Sequence, residues 1–405
     1  MRISAFRITR FQFRRDRTIG DSQVRTDTVN VAALELVAES GATGLGFIQS
    51  LFSPLPDEAE IARVFAAEAW PRLDRKSPLA LVNRVGRARG GNDRAYGLPF
   101  HEALQVALWD LAAKSVDLPL HRLLGAERSC VRAYASGLDY HLSDADFAAL
   151  FAHAESIGYD SFKIKVGAPD IERDLHRLDL LRRTVRAGSR IMIDANEAWT
   201  SKEALVRLET IRRAGHDIFW VEDPIRRTDF EGLRLLRQSC SWTRINSGEY
   251  LDLAGKQRLL DADAADMVNV HGPVSDVMRI GWLASERNVA VTVGNTFLEF
   301  GVHVACALPD VEWLEYSFQN FDHLVETPVE IRDGWILAPE RPGHGLVLSE
   351  NARRDWHRPH ILADEELGDA PVNPRLPRGA GAKQLPARNG SRGLPLERSM
   401  GGDRA

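Results

Sequence analysis

Asp194, Glu222 and Glu249 are spaced 28 and 27 positions apart, and each closes a short run that starts at Arg190, Ile218 or Arg244. A fourth run, Ser161 to Gly167, carries Lys163 and Lys165. Three carboxylates gathered at one place cannot all stay ionised without compensation, which a hard divalent cation supplies. Oxygen ligands with no histidine or cysteine point to Mg²⁺, with Mn²⁺ as a substitute. Two neighbouring ammonium groups disfavour each other's charge, so a lysine there is expected to move toward the range of a working base. A straight strand is taken to turn the two lysines to opposite faces, with strand tilt bringing both to one mouth. A divalent ion holding a substrate carboxylate acidifies the proton on the adjacent carbon, and a lysine can remove it. The chemistry indicated is proton abstraction alpha to a carboxylate, through an enediolate.

Such convergence needs a scaffold that presents strand ends in a ring. From about Val131 the pattern alternates strand and helix. Strands are expected near residues 131, 161, 190, 218, 244, 266, 290 and 313. Helices between them include Asp144–Ser156, Ile171–Val185, Lys202–Ala214, Phe230–Gln238 and Val274–Glu286. Eight strands and seven helices at this even spacing favour a closed parallel barrel, which sets catalytic groups at the C-terminal ends of its strands.

The N-terminal part reads differently. Residues 1 to about 50 suggest a β-meander, with Ile3 to Ile8 alternating and Val29 to Val37 apolar. Arg14–Arg25 and Gln49–Pro56 are expected to be loops, the first of them mobile. Phe100 to Ala113 is an amphipathic helix with Leu104, Ala107, Leu108 and Leu111 on one face. Past the barrel, Val329 to Ala338 reads as a hairpin around Asp333-Gly334, expected to return to the N-terminal domain. From Pro371 onward the chain has seven basic residues, two acids and few apolar ones, the composition of a disordered tail.

Bulk properties narrow the class. The 405 residues are 44% hydrophobic and 27% charged, as in soluble globular chains of roughly two or three domains. A net charge of −5 gives no global attraction to nucleic acid. Cys130, Cys240 and Cys306 lack metal spacing and form no disulfide framework, which fits a reducing cytoplasm. No apolar run is long enough to span a membrane. The basic N-terminus alternates like a strand; a transit peptide is the competing interpretation.

Taken in order, Lys163-Ile-Lys165, Asp194-Ala-Asn196, Glu222-Asp223-Pro224 and Ser247-Gly248-Glu249 resemble the enolase superfamily. Within it the chain is similar to the mandelate racemase / muconate lactonizing enzyme group. The segment from Ala107 to Gly125 is similar to that group's bridge from cap to barrel, and the resemblance covers about residues 1–350. It implies an α/β fold: a (β/α)7β TIM-like barrel at 126–325, with an α+β capping domain at 1–125. A C-terminal segment at 326–365 would return to the cap, with the disordered tail at 366–405. It implies Mg²⁺ on Asp194, Glu222 and Glu249, and Lys165 as the base with Lys163 beside it near the substrate carboxylate. Two cap loops would close over the substrate, and Glu315 matches the acid that hydrogen-bonds the enediolate. Homo-oligomers are common in the group, and one is expected here.

The pattern departs from the group on the other face of the substrate. Asn295 stands where mandelate-racemase-like members place a histidine, and His271 lies near the position of its aspartate partner. The lysine of muconate-lactonizing members is missing there as well. Asn295 and Asn196 are candidates for binding substrate, since an amide orients a hydroxyl but exchanges no proton at neutral pH. One secure base favours dehydration of a hydroxy acid or sugar acid to a 2-keto-3-deoxy acid. Lys165 could serve both steps, or His271 could supply the acid. The rivals are a racemase, epimerase or cycloisomerase using Lys165 with His271, and a carboxylate- or metal-binding paralogue without turnover. The partner expected is a small carboxylate substrate, with neither nucleic acid nor membrane.

Overall fold

A computed structural model describes residues 1–50, 54–85, 96–319, 321–350 and 352. The chain opens with three antiparallel strands, β1 (Ile3–Gly20), β2 (Arg25–Ala38) and β3 (Thr43–Gln49), in the order β1-β2-β3. Helices α1 (Glu58–Glu68), α2 (Pro78–Leu81), α3 (Phe100–Lys114) and α4 (Leu120–Leu123) follow. Helix α3 lies against β3, and Gly44 and Gly46 are what permit it. A Cβ at either position would collide with the carbonyls of Ala107 and Ala103. Leu104, Leu108 and Leu111 of that helix join Ile3, Leu34, Leu36 and Phe65 in a core belonging to this cap.

Strand and helix then alternate. Strand β4 (Cys130–Ser136) leads to α5 (Asp144–Ser156), β5 (Ser161–Lys165) to α6 (Ile171–Thr184), and β6 (Arg190–Asp194) to α7 (Ser201–Arg213). Strand β7 (Trp220–Glu222) leads to α8 (Phe230–Ser239), β8 (Arg244–Ser247) to α9 (Leu253–Asp261), and β9 (Met267–Val270) to α10 (Val274–Glu286). Strand β10 (Ala290–Val293), α11 (Val302–Ala307) and β11 (Val311–Tyr316) complete the series. Each strand pairs in parallel with the next, and β11 pairs back to β4 through Leu314–Ala133 and Tyr316–Ala135, closing the barrel. Local chemistry starts the helices where they start. Ser143, Asp170, Thr200, Asp229 and Asp252 each accept a hydrogen bond from an otherwise unpaired N–H of the first turn.

The barrel's interior is filled below the site. Tyr134, Met192, Trp220, Met267 and Trp313 form one buried cluster. Side chains two apart on a strand share a face. Met192 therefore lies directly below Asp194, Trp220 below Glu222 and Trp313 below Glu315. An apolar plug thus floors the polar site, and this lowers the local dielectric around every charge above it.

Two expectations change. Arg14–Arg25 is mostly strand: β1 runs to Gly20 and β2 begins at Arg25, with a register shift between Arg14 and Ile19. Tertiary contacts hold this polar ribbon, so hydropathy could not reveal it. Arg17 donates to the carbonyls of Phe318, Ser317 and Gly137 at 2.8, 3.0 and 3.1 Å, tying the ribbon to the barrel mouth. The hairpin forms as β12 (Glu330–Arg332) and β13 (Trp335–Leu337), with Asp333 and Gly334 at positive φ. It does not itself return to the cap; β13 pairs antiparallel with β4. The segment after it makes that contact. The N–H of Gly343 donates to the Leu118 carbonyl at 3.0 Å, and the N–H of His344 to Asp110 Oδ1 at 2.9 Å. The expected tail at 366–405, and residues 51–53 of the second expected loop, lie outside the described residues.

Candidate active site

The ends of β5 to β8 and β11 converge on one charged cluster. Lys163 Nζ lies 2.5 Å from Glu222 Oε1, 3.3 Å from Glu315 Oε1 and 3.4 Å from Asp194 Oδ2. Lys165 Nζ lies 2.6 Å from Asp194 Oδ2 and 2.8 Å from Asn196 Oδ1. Two positions apart on one strand, the lysines share a face, so the reading that set them on opposite faces is wrong. Asp194, Glu222 and Glu249 each place a carboxylate oxygen within 4.8 Å of the others.

Buried asparagines hold the carboxylates. Glu222 accepts from Asn269 Nδ2 on one oxygen and from Asn246 Nδ2 on the other, both at 3.1 Å. Sequence reasoning missed this pair. The signal was present: each is a polar residue inside a four-residue strand whose side chains are all at least partly buried. Asp223 was also passed over as a site residue. Its Oδ1 accepts from Ser247 Oγ at 2.5 Å and from the Gly248 N–H at 3.1 Å, which fixes the turn before Glu249. Asn196, Glu197 and Asp223 have φ of 45°, 64° and 37°, left-handed backbone that concentrates at functional sites.

The charges do not balance. Four carboxylates (Asp194, Glu222, Glu249, Glu315) face two ammonium groups. Burial, with Asp194 and Glu315 adding repulsion, raises Glu222 well above the usual carboxylate range despite Lys163. Burial and the charge of Asp194 push Glu249 up to about 7. Burial and Glu249 do the same to Asp223, to about 7. Burial by itself would lower both lysines, yet the carboxylates outweigh it: Glu222 and Glu315 raise Lys163, and Asp194 raises Lys165. Lys163 still lowers Lys165 as expected, but in the metal-free protein that effect is outweighed, because carboxylates crowd each lysine more closely than its neighbour does. An oxygen-only donor set with surplus negative charge in a dry setting fits a hard divalent cation. A cation there would take over contacts that the lysines now make.

A cavity of about 600 Å³ opens above this cluster, between barrel and cap. Lys165, Glu249, His271, Asn295 and Glu315 line it. Lys163, Asp194 and Glu222 lie beneath the wall, each at most 1% exposed. Asn196 lies outside the lining as well. Its amide is engaged by Lys165 and, through Nδ2, by Tyr250 Oη at 3.0 Å, so it holds the base. Asn295 does face the cavity; its N–H donates to Glu315 Oε2 at 3.0 Å, and its Oδ1 accepts from Gln319 Nε2 at 3.3 Å. His271 Nε2 is buried without a hydrogen-bond partner among the described residues. Burial lowers the His271 pKa, which favours the neutral ring. A larger cleft of about 930 Å³ lies at the opposite end of the barrel, around Arg190, Phe219 and Arg244, and holds none of these residues.

A capped, closed parallel barrel with lysines and three converging carboxylates at its C-terminal rim defines an enolase-type protein. Residues 146–352 match the enolase C-terminal domain-like family, and the chain belongs to it. A solved structure from Mesorhizobium loti, provisionally described as a mandelate racemase, is 67% identical. It superposes with a TM-score of 0.89 over 93% of this chain and all of that one. L-talarate/galactarate dehydratase of Salmonella typhimurium is 31% identical over 257 residues, which take in 62% of this chain and 63% of that enzyme, less than two thirds of its length. Its crystal structure liganded with Mg and L-lyxarohydroxamate superposes with a TM-score of 0.74 at 25% identity, over 88% of this chain and 92% of that one. D-galactarolactone cycloisomerase of Agrobacterium fabrum is 26% identical over 89% of this chain and all of that enzyme. The resemblance to mandelate racemase and muconate lactonizing enzymes read from the motifs is thereby borne out.

Proposed function

We propose that the protein is a Mg²⁺-dependent lyase that dehydrates a hydroxylated carboxylic acid, a sugar acid, to its 2-keto-3-deoxy product in the cytoplasm. The observation that carries this reading is that Lys165 lines the cavity together with Asn295, so the position after β10 offers an amide that exchanges no proton. Asp194, Glu222 and Glu249 would hold Mg²⁺, which supplies positive charge for the substrate carboxylate oxygens as negative charge grows on them. Lys165 releases its proton more readily once the charge of Asp194 and Glu249 is offset, and it becomes the base. It takes the α-proton, and the electron pair of that C–H bond passes to the carboxylate as an enediolate. The pair then returns to expel the β-hydroxyl, which leaves as water with the proton Lys165 has taken up; His271, kept neutral by burial, is the weaker donor. The enol product takes a proton to become the 2-keto acid. Lys163 lies behind Lys165 and adds fixed positive charge. Glu315 accepts from Asn295 and faces Lys163, so its place is to hold that ammonium and the Asn295 turn.

A broad panel of sugar acids incubated with protein and Mg²⁺ tests this. Release of a keto acid is expected; its absence across the panel sinks the reading. The orphaned Nε2 of His271 favours a second reading, an isomerase using Lys165 and His271 on opposite faces. Solvent deuterium entering recovered substrate without keto-acid release, and lost in His271→Asn, would decide for it.

A further inference from the structure

The cavity has two unlike walls. The β1–β2 ribbon forms the cap side of the cavity, and from it Arg15 and Arg25 line the space. Neither guanidinium has an ion-pair partner among the described residues. Arg15 Nη1 donates to Gln319 Oε1 at 2.9 Å, and its guanidinium carbon sits 5.5 Å from the centre of the Phe321 ring. Its Nε is buried with no hydrogen-bond partner. Burial, with Arg17 nearby, lowers the Arg15 pKa to about 10, which still leaves it cationic at neutral pH. Gln319 in turn donates to Asn295, so Arg15 is linked to the catalytic wall by one amide.

Holding a largely buried guanidinium that Asp16 helps but does not pair with is costly, and the donor capacity Gln319 leaves over is suited to an oxyanion. We propose that Arg15, steadied by Gln319 and joined by the exposed Arg25 at the rim, binds a second carboxylate at the far end of the substrate. The substrate is then a hydroxylated dicarboxylate rather than a sugar acid with one charged end. This rests on the proposed function, in which the reacting carboxylate lies toward Lys165 and the carboxylate cluster.

The test presents six-carbon sugar diacids, the monoacids of the same configuration and those monoacids phosphorylated at the far end, each with wild type and Mg²⁺. Keto-acid release and α-deuterium exchange are both read. The best diacid is expected to exceed its monoacid in kcat/KM by roughly tenfold or more, the scale of one charge-assisted pair. Arg15→Gln is expected to cut that ratio by roughly tenfold to a hundredfold, mainly through KM, with Arg15→Lys recovering part of it. If Arg15→Gln does not fold, the wild-type ratio decides alone. A preference for monoacids or for phosphorylated acids overturns the dicarboxylate assignment and leaves the proton-abstraction reading standing, and so does an unchanged ratio in a folded Arg15→Gln. Absence of exchange with every acid overturns both.

Discussion

Glu222→Gln separates a metal ligand from a structural ion-pair partner. Glu222 accepts from Lys163, Asn269 and Asn246 at 2.5, 3.1 and 3.1 Å. Glutamine keeps one acceptor oxygen for Lys163 and Asn269, and Asn246 can present its own oxygen to the new amide. The loss is about one hydrogen bond, roughly 1 kcal/mol. Removing a charge that burial and its neighbours already disfavour offsets part of it. The metal-free variant should therefore melt within a few degrees of wild type. Mg²⁺ is a different matter. At a hundred times its Kd, a ligand specific for the folded state adds about 2.7 kcal/mol. Unfolding entropy near 2 cal/mol/K per residue, summed over the folded part of this chain, converts that to a Tm rise of about 4 °C. Loss of a charged ligand exceeds the roughly tenfold to hundredfold that outer-shell changes cost, so at equal Mg²⁺ the variant's rise should fall below about 1 °C. Thermal melts with and without Mg²⁺, backed by calorimetric titration, read this directly. A Glu222→Gln protein that keeps the full Mg²⁺ shift would refute the ligand assignment. One that loses more than about 3 kcal/mol without metal would show Glu222 to be mainly structural.

Other expectations follow from the same geometry. Mg²⁺ affinity should climb with pH through about 7, and the raised Glu222 adds to that climb. Glu249, held at about 7 in the folded metal-free protein, must lose its proton to bind a cation. The sign agrees with linkage. A raised carboxylate favours the folded metal-free state at low pH, and that contribution is lost as pH rises from the ordinary value through about 7. Calorimetry at about pH 6, 7 and 8 should show affinity falling by up to about tenfold per unit below 7 from Glu249 alone, and a flat profile would contradict it. Asp110→Asn should cost about 3–5 kcal/mol. This fully buried carboxylate accepts from the Leu45 N–H, the His344 N–H and Lys114 Nζ at 3.0, 2.9 and 2.7 Å, so it joins cap strand, C-terminal segment and helix α3. Denaturant unfolding that shows a loss under about 1 kcal/mol would remove it from that role.

The fold was legible where period and spacing speak. Asp194, Glu222 and Glu249 recur at a strand–helix period, and their runs became β6, β7 and the end of β8. The helix expected at Asp144–Ser156 forms with those bounds, and Ser143 caps it. What stayed hidden depends on contacts between distant segments. The β1–β2 ribbon has the charge pattern of a loop, and contacts to distant segments, such as Arg17 to the Ser317 and Phe318 carbonyls and Arg15 to Gln319, make it a wall of the site. Arg15 was hidden for the same reason. Lysine pKa direction also depends on geometry. Spacing shows two ammonium groups on one strand; it does not show that carboxylates from β6, β7 and β11 surround them more closely. Asn196 illustrates a further limit: its motif is legible, yet its amide is turned to Lys165 and Tyr250 instead of the cavity.

The central claim is that Lys165 removes the α-proton of a carboxylate at this site. The direct measurement follows deuterium exchange at the α-carbon of the acid that wild type turns over, in deuterated water with Mg²⁺, for wild type and Lys165→Ala. Wild type should exchange that position or carry its substrate through to keto acid. Lys165→Ala should lose the reaction by roughly a hundredfold to ten-thousandfold, the usual worth of a positioned base, while still binding Mg²⁺ in calorimetry. Exchange at the wild-type rate in a folded, Mg²⁺-binding Lys165→Ala protein would contradict the account.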